Sequence, residues 1–505
     1  VTNTRSNAPY FYQLSDSKNT MAHFEITHIA SNWVGGWGSW QFMANTSVAY
    51  SAATASSLNS SSRAAAFSHA NEESKAHYYG VTFNEGSKAS GVKMEMTPTD
   101  HALFVRATFP QDAANRNIVF DCDHANGGMV LSNVSKNGSF TAYSDHNQNG
   151  STRMYIYGQF VDASGNPLTT GTSKVMTYTD GNKSSAIGLT SFPEGTTEVG
   201  IKLATSYMSY AQAEKNLNLE IAADATFDDV FTAAQKTWDE LLGMIELEGA
   251  TEEQLITSCL YRMYMYPTNY SENTGTAEKP VISYASPYQN GKVVEGQMYT
   301  NNGFWDTYRT AWAGYALLTP NRDTGYLNGL IQHYKDSGWV PRWINPAGTN
   351  SMVGTSSDII FGDAAVKGIQ FDMEAALDSA IKNATVVSDN LTNGGRRALK
   401  TSNFLGYTSL ENDQAFSWAM EGYINDYGVS QLAEVVGRSD EAAYFRNRSR
   451  YYVNLFNDNL GWFMGKNQNG EFRTNSENFN PSGWGWGGDY TETNAWNMAF
   501  TVVQD

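Results

Sequence analysis

The chain has 505 residues, a formal net charge of -18, 13% aromatic residues and only 17% charged ones. Its length exceeds what one hydrophobic core usually serves, so two domains are expected. Its acidity excludes nucleic acid and anionic membrane surfaces as partners, because phosphate binding needs clustered Lys and Arg.

With 13 Trp and 29 Tyr against so few charges, the composition suits either a ring-rich β core or surfaces that stack on the C–H faces of sugars. No apolar run approaches membrane-spanning length and no signal peptide precedes Val1, so the start is expected to be processed or trimmed. Cys122 and Cys259 are the only cysteines and fall in different candidate domains, which indicates neither a disulfide framework nor a zinc site. Asn-x-Ser/Thr sequons at Asn45, Asn59, Asn133, Asn137, Asn149, Asn182, Asn269, Asn383, Asn390 and Asn447 point weakly to an extracellular setting.

From about Met21 to Ala222, short alternating runs broken by Gly, Asn, Asp and Ser predict antiparallel strands, and a β-sandwich over 1–223. Val92, Met94 and Met96 of "GVKMEMTPTD" share one face, as do Met154, Ile156 and Gly158 of "TRMYIYGQFV". "DHNQNG", from Asp145, begins like a calcium-binding EF-hand loop, but its twelfth position is Ile156 instead of a bidentate Glu, so a polar hairpin loop is expected. Over 224–249 a helical linker is expected: Asp224 or Thr226 can cap it, Phe231, Ala234, Trp238, Leu241 and Leu242 recur at helical spacing, and Gly243 and Gly249 can end helical turns.

Longer helical patterns follow over 250–505, several of them apolar around much of their circumference, as helices packed between two neighbours must be. "FGDAAVKGIQFDMEAALDSAIKNA" and "ENDQAFSWAMEGYINDYGVSQLAEVVG" are the longest. Arg396-Arg397, the one local basic pair, reads as a solvated turn. The connections carry Trp, Gly, Pro and Asn, and loops on a rigid scaffold are where binding residues concentrate.

In "NNGFWDTYRT", Asp306 either caps a helix start or accepts from two adjacent sugar hydroxyls while Trp305 stacks on the ring. Trp343 either wedges its loop or lines the same pocket. Asp363, before Ala-Ala-Val, reads as an N-cap or a pocket residue. Glu492 has the stronger chemical case. Tyr490, Trp484, Trp486 and Trp496 would bury its carboxyl and raise its pKa, as a general acid requires, with Asn494 fixing its orientation.

Together these blocks resemble family 92 of the glycoside hydrolases, the calcium-dependent exo-acting α-mannosidases. The resemblance runs in order through "HFEITHIASNWVGGWGSWQFM", "FSHANEESKAHYYGVTF", "FWDTYRTAWAGYALLTP", "GWVPRWINPAGTNSMVGTSSDIIFGDAAVKGI" and "YTETNAWNMAFTVVQD". It implies an N-terminal β-sandwich, a helical linker and an (α/α)6-barrel catalytic domain. The implied activity is inverting removal of terminal mannose from glycans, α-1,2 linkages foremost, with calcium as cofactor and a secreted or periplasmic location.

By position, Glu492 in "TETNAW" falls where the family has its general acid. Trp305 and Asp306 fall on its Trp-Asp-Thr-Tyr-Arg block, and Trp33 and Trp37 fall on an N-terminal loop reaching the pocket mouth. Asn494 and Trp496 complete the binding set. Thr493 replaces the family's usual Gly, Asn497-Met498 replaces Gln-Tyr and Gln504 replaces a His, so the leaving-group surroundings are expected to differ.

The family's Asn-Asp-Asp-x-Gly-Gln block, with the base and calcium-associated residues, has no equivalent here. The barrel is therefore expected to be incomplete, with a second chain as one source of the remaining helices. The competing expectations are a catalytically inactive glycan-binding protein and a mannose-phosphate uncapping relative, the latter disfavoured by retention of Glu492.

Overall fold

The computed structural model describes residues 19–26, 40–122, 125–145, 153–249 and 251–503, in two compact units: 1–262 with 272–295, and 263–271 with 296–505. In the first unit a nine-stranded antiparallel sheet runs through Thr20–Met21, Ala65–Lys75, Tyr78–Phe83, Lys93–Pro98, Ala102–Thr108, Glu198–Ser206, Met154–Val161, Ser139–Ser144 and Gly127–Val130. A five-stranded sheet orders Thr172–Asp180, Lys183–Phe192, Arg116–Asp121, Gln41–Asn45 and Phe24–Glu25. Their inner faces meet ring on ring: Phe120 of the smaller sheet lies 4.8 Å from Phe140 and 5.8 Å from Phe160 of the larger, with Trp40 stacked on Phe120 at 4.6 Å.

Met154, Ile156 and Gly158 are buried as the alternation predicts, while Tyr155, Tyr157 and Gln159 are half-buried. Lys93–Pro98 differs, because Glu95 is buried together with Met94 and Met96. The second face of this sheet is covered. The helices Tyr210–Glu220 and Phe227–Leu242 pack there, with Leu217, Phe227 and Val230 set against Tyr78, Phe104 and Val161. Beneath them Glu95 accepts from Tyr78 at 2.8 Å and from Arg106 Nε at 2.8 Å, and Arg106 lies 4.2 Å from the Phe227 ring centroid.

Thr226 caps the Phe227–Leu242 helix in a reciprocal box with Asp229, and Gly243 ends it. The Ser139–Ser144/Met154–Val161 hairpin brackets the expected polar loop, with Asp145 bound by both Arg153 Nε and Nη2, at 2.7 and 2.8 Å; residues 146–150 lie outside the described set. Among the described residues neither cysteine forms a disulfide: Cys122 is buried and Cys259 exposed. Of the sequons, Asn45 and Asn383 are fully buried, which removes them as glycan acceptors.

The second unit is built on the helices Ala311–Leu318, Pro320–Ser337, Ser357–Val366, Met373–Thr385, Ala415–Val436 and Ser439–Ser449. Ala415–Val436 is buried almost all round, as its apolar circumference predicts. The stretch 361–384, read as one pattern, is two helices: Gly368 turns left-handed at φ +80° and Asp372 caps the second through the Ala375 N–H. Ser357–Val366 and Ala415–Val436 touch backbone to backbone. A Cβ on Gly362 would lie 2.3 Å from the Gly428 carbonyl oxygen, and one on Gly428 2.4 Å from Ile359 Cα.

Arg396 is not in a solvated turn. It is buried, and its guanidinium bonds Asp358 at 3.2 Å and Asp426 at 2.6 Å, while Arg448 meets Asp426 through two 2.6 Å bonds. Taken out of water, this arginine needs both carboxylates, because a buried charge that loses its partner keeps its desolvation penalty.

Asp323, in the first turn of Pro320–Ser337, has only 1% of its surface exposed, and its Oδ1 lacks a hydrogen-bond partner among the described residues. Burial, and then the nearby Asp363, push its pKa up to about 7. The folded state therefore holds a proton that the unfolded chain releases near pH 4, so stability falls as pH rises from about 4 through 7. Asp323→Asn is expected to raise stability at pH 8 by on the order of 2–4 kcal/mol and to change it little at pH 4, read as paired denaturation curves at the two pH values.

Candidate active site

Asn302–Gly303 pairs antiparallel with Trp343–Ile344, which brings Trp343 beside the short helical turn Phe304–Thr307. Trp343 Nε1 donates to Asp306 Oδ2 at 3.3 Å. Gly303 makes room for that contact, since a Cβ there would lie 2.0 Å from Trp343 Nε1 and 2.5 Å from Asp306 Oδ2. Asp306 is not the N-cap; Gly303 occupies that position without a side-chain bond. Although Asp306 reaches solvent, burial of its carboxyl raises its pKa, against the lowering by the Trp343 bond. The sequence-predicted Asp306 and Trp343 are therefore in direct contact, beside the half-buried Trp305.

Behind this turn stands an acid that the sequence reading missed. Glu421, on Ala415–Val436, is 2% exposed and accepts from Tyr308 Oη at 2.9 Å and Arg309 Nη2 at 2.9 Å, with a further bond from Trp305. Burial raises its pKa despite Arg309 and these bonds. A lone Glu inside the apolar stretch "AFSWAMEGYI" was the available signal, since a buried acid must find donors. Left-handed Gly354 lets the backbone close over it; a Cβ there would lie 2.8 Å from Glu421 Cβ.

One helical turn earlier, Ser417 holds the segment that carries Glu492. Its hydroxyl donates to the Asp489 carbonyl at 2.6 Å and accepts from the Thr491 N–H at 2.9 Å, while Thr491 Oγ1 donates to Gln414 at 2.8 Å. Ser417 and Glu421 are four residues apart, on the same face of one helix, so the anchor of the 489–491 turn and that of the 305–309 turn lie about one helical pitch apart, about 5–6 Å along the axis. Asp489 is fully buried against Arg473 at 2.6 Å and the Gly465 N–H at 3.0 Å.

The expected burial of Glu492 is not found. Glu492 is exposed, in a left-handed turn at φ +49°. The rings around it in sequence diverge in space. Tyr490 points into the core and donates to the Phe463 carbonyl at 2.7 Å, Trp486 packs on Phe479, and Trp484 and Trp496 are exposed. Asn494 does not orient Glu492; its side chain caps Ala495–Met498 by accepting from the Asn497 N–H at 3.1 Å. Consecutive residues in a tight turn point in different directions, so adjacency in sequence did not translate into a shared pocket.

Asp363 is neither an N-cap nor a neighbour of Asp306 in any observed bond. It lies inside Ser357–Val366, half-exposed, and pairs with Lys367 at 2.6 Å. Trp33 and Trp37 lie outside the described residues. Among the described residues, no three His, Cys, Asp or Glu side chains converge to hold a metal ion. No described helix is long and apolar enough to cross a membrane.

An acid in contact with an indole, as Asp306 is with Trp343, sets a hydroxyl acceptor beside an apolar ring face, the two features a sugar can meet. Comparison with known sequences makes this specific. Residues 1–206 match the glycosyl hydrolase family 92 N-terminal domain and residues 212–505 the glycosyl hydrolase family 92 catalytic domain. The chain belongs to glycosyl hydrolase family 92.

Among solved structures, a family 92 inverting mannosidase from Bacteroides thetaiotaomicron VPI-5482 is 27% identical with a TM-score of 0.84, covering 96% of this chain and 64% of that one. A family 92 α-mannosidase from Bacteroides thetaiotaomicron, solved in complex with mannoimidazole, shares the fold at 21% identity and a TM-score of 0.77. An uncharacterized secreted glycosidase from Arthroderma benhamiae is 27% identical over 290 residues, 54% of this chain and 32% of that protein. The chain thus spans 64% of the length of these solved relatives and 32% of that secreted one.

Proposed function

We propose that this chain belongs to a secreted, exo-acting α-mannosidase that releases terminal mannose with inversion, α-1,2 linkages foremost. The observation that carries the reading is the Trp305–Asp306–Trp343 cluster: a carboxylate held by one indole beside another, with a buried carboxylate fixing the turn from behind. Such an arrangement suits a mannose ring, whose hydroxyls donate to Asp306 while its C–H face rests on indole. Glu492 is the proposed proton donor to the glycosidic oxygen, on its place in the family motif and on the shared helix face. No base is assigned. The secreted setting rests on the family resemblance and on the relative described as secreted.

Calcium dependence belongs to the proposal on the resemblance alone. The described residues offer no acidic cluster that fits the ion, so none is assigned to it and no step is routed through it. The exposure of Glu492 favours a second reading, a glycan-binding protein without turnover. Incubation with α-1,2-, α-1,3-, α-1,4- and α-1,6-mannobiose, with and without a chelator, separates the two. Release of mannose, fastest from the α-1,2 dimer and lost with chelator, is the expected result; calorimetric binding of the dimers without any release would establish the second reading.

A further inference from the structure

Resting on that reading of Glu492, we propose that Trp484 is the platform on which the leaving-group saccharide ring rests, a stacking subsite beside the proton donor. The loop that carries it sends its two indoles opposite ways. Trp486 packs edge to face on Phe479 at 4.7 Å and joins the apolar cluster of Phe416 and Tyr490. Trp484 is 69% exposed. The exposure is not looseness of the loop, because its backbone is tied on both sides of Trp484: the Gly485 N–H donates to the Thr493 carbonyl at 2.9 Å and the Ala495 N–H to the Pro481 carbonyl at 3.1 Å.

The glycines that follow Trp484 explain how an indole can be held out in this way. Gly485, Gly487 and Gly488 take φ +62°, +63° and +75°, a conformation disfavoured for other residues, and fold the chain back on itself within one turn. Trp496, next to the Ala495 N–H that ties this loop, is also exposed, at 54%, and is braced edge to face on Trp462 at 4.5 Å. An indole held out by a tied backbone, 69% exposed among the described residues, offers a ring face for contact. Its occupant follows from the neighbouring acid: a proton donor must lie within hydrogen-bond reach of the oxygen it protonates, so the sugar that departs with that oxygen comes to lie against the same loop. Apolar C–H faces on that ring match the indole faces.

The test compares wild type, Trp484→Ala and Trp484→Phe on α-1,2-mannobiose and on α-mannosyl fluoride, whose leaving group has no ring. For the dimer, KM is expected to rise about tenfold in Trp484→Ala, the loss of one stacking contact, and to recover mostly in Trp484→Phe. The fluoride is expected to respond less than twofold. Equal effects on both substrates, or none on either, would overturn the platform. If the wild type turns over neither substrate, the catalytic reading fails separately, and calorimetry then decides the platform: it stands if mannobiose binds more tightly than mannose only when Trp484 is present, and falls if the alanine variant keeps that preference.

Discussion

Glu492→Gln is expected to lower kcat for α-1,2-mannobiose by about 10²- to 10⁴-fold, the usual worth of a positioned proton donor, with KM nearly unchanged. The amide fills the same volume and can still accept a hydrogen bond, but it has no proton to deliver to the departing oxygen. Because the side chain is exposed and the turn is held by Ser417, Gln414 and the backbone, folding should be unaffected, with stability within about 0.5 kcal/mol of wild type. The kcat for α-mannosyl fluoride, whose leaving group departs without protonation, should stay within a few-fold. Undiminished release of mannose from the dimer would remove Glu492 from the mechanism, and the exposed turn would then be only a turn.

The second large effect concerns stability. Asp426→Asn keeps the shape but removes the charge that faces both Arg396 and Arg448, leaving two guanidinium groups with one buried carboxylate, Asp358, between them. Breaking a buried pair in this way costs about 3–5 kcal/mol, because the stranded charge keeps its desolvation penalty. Urea denaturation should show a lower midpoint at an unchanged slope, the mark of lost stability without a change in the surface exposed on unfolding. A change below about 1 kcal/mol would mean that solvent reaches Arg448 and screens it.

Architecture was more legible in this sequence than side-chain environment. Period-two alternation located strands such as Met154–Val161, and the Thr226 cap with its Gly243 stop located the Phe227–Leu242 helix, because these signals are local and the backbone answers to them directly. The family resemblance, confirmed by the domain matches, supplied what periodicity lacks: the order of the parts.

Within the site, Trp343 and Asp306 were expected only as residues of one pocket, from loop segments rich in Trp and Gly; the 3.3 Å bond between them came from the structure. The misses are three-dimensional. Glu421 hid in a helix, where a single acid reads as surface until its donors from the 305–309 turn are seen. Arg396 hid in a basic pair, and its partners Asp358 and Asp426 are 38 and 30 residues away. The burial of Glu492 was inferred from neighbours in sequence, and a left-handed turn sent those neighbours elsewhere.

The glycine-to-glycine crossing of Ser357–Val366 and Ala415–Val436 sets a limit on how this unit can adapt. Two rods locked main chain against main chain can neither slip lengthwise nor swing apart, and Ser417 and Glu421 ride on one of them. Selection for a wider or narrower pocket would therefore have to act through the loops those residues grip, leaving the spacing of their anchorage constant from one descendant enzyme to the next.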